Sequence, residues 1–272
     1  MYAKTLMWVS IAAIVLVLVF FASSRLQQDG DRTESPTPPT PAAPVEGKLE
    51  PREEASLVQP PESAAAVESN LPALPDSDGP VRERLTGASG SPQWRSWLGT
   101  QQLIRKATSL IARLAKGEID RRAADFLAPK SRFEAKERSP ERYVLNSASY
   151  QRYNGVANVI ASLDVPAVCK AYLEFRPLFH AAYAELGFSG ETFDTELLQA
   201  IEMVLAAPVM KGELALIRPS VMYKFADPEI ERLPPAQKQL IRMGPANTQK
   251  IQGKLQAFKA ELVRAGIGRQ GS

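Results

Sequence analysis

Apolar residues are distributed along this chain in three regimes. From Thr5 to Ser24 they run without a charge, closed by Lys4 and Arg25. Twenty residues span about 30 Å as a helix, the thickness of a bilayer's hydrocarbon core. Eleven positions between Leu6 and Phe21 are Leu, Ile, Val or Phe, each favourable to insertion by roughly 0.3–0.6 kcal/mol. The run exceeds the roughly 7–15 residues of a secretory signal core and has no Ala-x-Ala at its end, which favours a retained anchor over a cleaved leader. Residues 1–25 are therefore predicted to be one transmembrane anchor, with the amino terminus inside and the bulk of the chain outside.

Residues 26–79 show no apolar periodicity. Eleven of the 22 prolines fall between positions 26 and 80, among Ala, Ser, Thr and Glu, and no aromatic residue interrupts them. Such a tract builds no core and is predicted to be a disordered linker with a reach of about 40 Å.

From residue 80 to 266 helical spacing takes over, and 267–272 is left as a disordered tail. Asp78-Gly79-Pro80 opens a short helix, and Ser91-Pro92 another that places Trp94 and Trp97 on one face, more in keeping with a core lid than a sugar platform. Thr100 is expected to cap QQLIRKATSLIARLAKG, in which Leu103, Ile104, Ala107, Leu110, Ile111 and Leu114 repeat at helical intervals up to Gly117. Around Glu137–Glu141 the spacing changes to that of a hairpin with a loop of several residues. Helix resumes at Ser147, with Tyr150, Tyr153, Val156, Val159, Ile160 and Leu163 on one side, and runs to Asp164. Val165 to Gly187 reads as the next, kinked near Phe175 by Pro177. Asp194 is expected to cap a helix that ends before Pro208. Leu214–Arg218 is a short strand that pairs with the hairpin, giving about three strands. Asp227-Pro228, Pro234-Pro235 and Pro245 start the last three helices. In the last of these Ile251, Leu255, Phe258 and Leu262 face inward, with Lys250, Lys254, Lys259 and Arg264 outward. The fold class is mainly α: a helical domain with a small antiparallel sheet, preceded by a transmembrane helix and a linker.

Charge divides the chain unevenly. The stretch from 26 to 80 holds eleven acids against three bases, a net of −8. Lys4 and Arg25 add +2, which leaves +9 on the rest of a chain whose total is +3. A basic domain on an acidic tether suits an anionic partner, whether wall polymer, lipid head groups or nucleic acid, although bases on solvated faces explain the same numbers. The densest positive stretch, Arg105 to Arg142, has eleven bases and six acids. Its candidate face comprises Arg105, Lys106, Arg113, Lys116, Arg121 and Arg122. Aromatic residues are not interleaved there, which argues against nucleic acid.

The single cysteine, Cys169, and single histidine, His180, give neither a disulfide nor a multi-histidine zinc set, so no metal or cofactor is expected. Cys169 reads as a small core residue, and His180 as a half-exposed helix residue with no nucleophile beside it. GxSxG, P-loop and HExxH motifs are lacking.

Three segments, LNSASYQRYN at 145–154, YLEFRPLFHAAYAELGF at 172–188 and RPSVMYKFADPEIERLPPAQKQLIRMGP at 218–245, resemble an uncharacterised bacterial membrane-anchored family, a domain of unknown function. The likeness covers roughly residues 80–262 and implies architecture and anchoring, with no mechanism. Within the third segment Arg218, Tyr223, Lys224, Asp227, Lys238 and Arg242 form the candidate binding group, in which Arg218 or Arg242 is placed to clamp Asp227. The expected function is a single-pass protein of the bacterial inner membrane whose extracytoplasmic domain binds an envelope protein or anionic wall polymer without catalysis. The alternative is a carboxylate-dependent hydrolase of envelope glycans using Asp227 and Glu231, which share a helix face.

Overall fold

The amphipathic pattern that begins at Leu103 builds the helix on which the domain is assembled. In the computed structural model, which describes residues 71–120, 129, 131–187 and 191–268, the described chain starts with a 3₁₀ turn, Leu74–Asp76, and helices α1 (Asp78–Leu85), α2 (Pro92–Leu98) and α3 (Leu103–Ala115). The expected membrane span, the linker through residue 70, Arg121 and Arg122 lie outside the described residues. All six residues of the predicted α3 stripe are buried.

Against α3 pack α6 (Val165–Glu185) and α7 (Phe193–Leu205); the carboxy-terminal α10 (Pro245–Arg264) packs on α6 and α7, with α5 (Asn154–Ala161) laid along it. Their apolar faces make one core that includes Ile111, Tyr172, Phe193, Ile201, Leu255 and Phe258. Trp94 and Trp97 belong to the same core, edge to face at 6.3 Å between ring centres, and Trp94 donates its indole N–H to the Leu85 carbonyl. Cys169 is buried among them, as its composition suggested. Leu71 and Leu74 also pack on this core, and Ile267 is buried in it.

Several helix starts differ from their expected form. Thr100 does not cap α3. Gln102 sits in the left-handed region, φ +56°, and the carboxylate of Asp78 accepts the backbone N–H groups of Gln102 and Leu103 at 2.6 and 2.8 Å. A carboxylate from another helix thus satisfies amide donors that α3 leaves open. At α7 the cap is Thr192, whose hydroxyl accepts the Thr195 N–H, and Asp194 falls inside the first turn. The helical stretch expected from Ser147 does begin there, and divides into α4 (Ala148–Gln151) and α5. By contrast α6 remains helical through Pro177. The carbonyl that loses its partner there belongs to Leu173, a residue 37% exposed, where water can take the bond.

A second, smaller core lies under an antiparallel sheet of four strands in chain order: β1 (Ala135–Ser139), β2 (Arg142–Leu145), β3 (Ala215–Ile217) and β4 (Lys224–Phe225). β1 runs through most of the expected loop and turns tightly at Pro140-Glu141, Glu141 taking φ +63°. Tyr143, Leu216 and Phe225 stand opposite one another and face this core, joined by Leu145, Leu214, Ile230 and Ile241. Two helices close it, α8 (Pro228–Arg232) and α9 (Pro235–Met243). α9 serves both cores, because Ile241 points to the sheet while Leu240 and Met243 point to the bundle. No single helix among the described residues is long and apolar enough to cross a membrane.

Candidate binding face

Strand register decides which charged residues meet. Arg142, Ile217 and Lys224 are cross-strand neighbours on β2, β3 and β4. The β3–β4 loop leaves from Ile217 and returns at Lys224, so it stands at the same end of the sheet as the β1–β2 turn. Arg142, Arg218 and Lys224 are exposed there and make no ion pair among the described residues. Ile217 is 40% exposed, Met222 38% and Val221 66%, the most exposed large apolar side chain among the described residues. Three cations and three apolar side chains therefore share one end of the domain, with Glu141 the acid in the adjoining turn.

Behind this end the aromatic rings form a cluster of tilted and edge-to-face contacts with arginines on it. Tyr223 meets Phe133 and Tyr143 at 5.6 and 5.1 Å between ring centres, and the Arg218 guanidinium lies 5.5 Å over the Tyr223 ring. Arg242 lies 4.7 Å over Phe225, and Arg152 lies over both Phe133 and Tyr153. Nε and Nη1 of Arg152 are buried without a hydrogen-bond acceptor, and the ring faces take that place.

The six candidate residues of the third segment thus separate. Arg218, Tyr223 and Lys224 come together at the sheet end. Asp227, Lys238 and Arg242 belong to the helices that close the small core. Asp227 accepts the Glu229 N–H at 2.8 Å as the cap of α8, rather than an arginine clamp. The ion pair that pins this region is Lys238 with Glu231, 2.9 Å, and Glu231 also accepts the Phe225 N–H at 2.9 Å. Burial raises the Glu231 carboxyl's affinity for its proton, yet Lys238 and the Phe225 N–H outweigh it and hold the group below the usual carboxylate range. A groove of about 490 Å³ between α3, α7 and α9 is lined by Leu198, Gln199, Glu202 and Met203 among others, and by none of the six.

Two of the candidate cations on α3 are met by acids. Arg105 donates to both oxygens of Glu185 at 2.6 and 2.9 Å, and Arg113 pairs with Glu118 and Asp120. Lys106 is half-buried and Lys116 exposed. On α10, Lys254 donates to the Leu163 carbonyl in the α5–α6 connection and Lys259 pairs with Glu202 on α7, so these two cations are tied to neighbouring elements.

One polar cluster was hidden from sequence reasoning. Tyr172, Arg176 and His180 stand at intervals of four on α6 and converge on Asp194, which is 6% exposed. Tyr172 donates its hydroxyl to one carboxylate oxygen and Arg176 donates to the other, with His180 Nε2 3.5 Å away. Burial alone would raise the Asp194 pKa, but the hydrogen bonds from His180, Arg176 and Tyr172 together hold it well below the usual range. Interval-four spacing was the available signal, yet the acid that receives it lies on another helix. The arrangement fastens α6 to α7.

A family model described as Protein of unknown function (DUF3014) matches residues 103–259, from the first residue of α3 to near the end of α10. No curated protein and no solved structure matches the chain.

Proposed function

The chain belongs to the DUF3014 family, proteins of unknown function, and from that footing we propose that it is a non-catalytic binding module of the bacterial cell envelope. In this reading one amino-terminal helix anchors it in the inner membrane, the linker holds the domain on the extracytoplasmic side, and the sheet end binds an anionic component of the envelope. The observation that carries the proposal is the meeting of Arg142, Arg218 and Lys224 beside exposed Ile217, Val221 and Met222, while Asp227 and Glu231 are engaged in a helix cap and an ion pair. Unpaired cations grouped at an exposed apolar end favour recognition of an anion over acid-base chemistry.

The test is photo-crosslinking in intact cells, with the full chain carrying a photoreactive residue at position 222. Crosslinks to envelope material that disappear in the variant Arg142→Glu/Arg218→Glu/Lys224→Glu are expected. Absence of any crosslink at 222, or a wild-type chain found in the soluble fraction after gentle lysis, overturns the reading.

A further inference from the structure

Resting on that binding reading, we propose that the sheet end docks on the surface of an anionic phospholipid bilayer. A wall polymer would pair with the three cations but has no use for Val221 and Met222. A dry protein interface would bury the apolar side chains but would also have to desolvate Arg142, Arg218 and Lys224. A bilayer surface accommodates both at once: apolar side chains enter the headgroup boundary while Lys and Arg stay at the phosphate level on their flexible stems.

The local structure fits that environment in detail. Val221 and Met222 sit in the loop between β3 and β4 and belong to neither core, so their exposure is not required by the packing of the domain. Tyr223, half-buried behind them, carries the Arg218 guanidinium over its ring. Tyrosine and arginine together suit the polar boundary of a membrane. Glu141 is the acid in the neighbouring turn, against three cations. The contact is small, so it is weak on its own. A domain already tethered to the same membrane needs only a weak contact, because the linker holds it at a high effective concentration over the lipid.

The test uses the full chain inserted through its own anchor into nanodiscs of phosphatidylcholine alone or of phosphatidylcholine with phosphatidylglycerol. Val221→Cys carries an environment-sensitive fluorophore, and Ser96→Cys on exposed α2 surface serves as the control. The only native thiol, Cys169, is buried and its pKa is pushed up to about 11, so it escapes labelling.

Docking predicts a blue shift and quenching by headgroup-proximal spin-labelled lipid at 221 in anionic discs, with neither at 96. Each cation near an anionic surface changes binding by about fivefold, so Arg218→Glu/Lys224→Glu should lower the docked fraction more than tenfold, and salt should do the same. Equal quenching in both lipids overturns the role of the anionic headgroup. A chain that inserts but shows no quenching at 221 overturns docking while leaving the binding reading intact, and crosslinks from 222 to glycan or protein would then name the other partner. A chain that fails to insert overturns the anchor and docking together.

Discussion

Asp78 caps a helix that starts 25 residues after it in the chain. Its two carboxylate oxygens accept the backbone N–H groups of Gln102 and Leu103, so the first helix of the described domain and the amide end of α3 are fixed to each other by one side chain. Replacing a capping side chain with alanine typically costs about 0.5–2 kcal/mol. Asp78→Ala should fall in the upper half of that range, because two donors lose their acceptor and the helix it serves is central to the core. Urea denaturation of the full chain followed by circular dichroism reads this directly, and Thr100→Ala should leave the midpoint nearly unchanged.

Asp194 makes the second prediction. Its pKa is depressed in the folded protein, so it binds a proton less readily than in the unfolded chain. The stability it contributes is full above the unfolded value of about 4 and is lost as the pH falls below it towards the folded value. Asp194→Ala should cost about 2–4 kcal/mol at neutral pH, limited because the Arg176 side chain is 46% exposed. The variant should also show a weaker fall in stability between pH 5 and about pH 3 than the wild type. Parallel slopes for the two proteins across that interval would contradict the assigned network.

Gly244 joins α9 to α10 at φ +86° and ψ 158°, a conformation open essentially to glycine alone. A methyl group there would stand 2.5 Å from Cγ of Tyr150. Gly244→Ala should therefore lower stability by about 2–3 kcal/mol through backbone strain and contact combined. Truncating Tyr150 in the same chain should recover only the contact portion, which a double-mutant cycle separates.

The thiol of Cys169 is shielded. Burial, with Glu261 nearby, pushes its pKa up to about 11. At pH 8 the native protein should react with a thiol reagent far more slowly than the urea-unfolded chain, and at a rate set by opening of the core. Immediate stoichiometric labelling without denaturant would contradict that placement.

Much of the helical framework was legible because it is written locally. Pro228, Pro235 and Pro245 announce three helix starts, and the α3 stripe and the inward face of α10 follow from spacing alone. The errors arose where a local signal had a distant alternative. Thr100 and Asp194 both resemble caps, but Asp78 reaches across from α1, and Thr192, two residues before Asp194, is the cap of α7. Asp194 is then released to receive three partners from α6. The candidate site shows the same limit. Arg218, Tyr223 and Lys224 are close in sequence and close in space, whereas Arg142 joins them only through the β2–β3 register, which no single segment encodes. Asp227 and Lys238 read as a binding group because they are near in the chain, yet a cap and an ion pair occupy them.

α9 gives Ile241 to the core under the sheet and Leu240 and Met243 to the core of the bundle. Neither core can come apart without stripping apolar surface from a helix the other needs, so the two should melt in one transition. Amides of β2 and β3 should then exchange with solvent through the same opening event as those of α9. Load arriving at the loop around Val221 would pass along a stiff lever into the helices, which makes this small sheet a mechanical extension of the bundle.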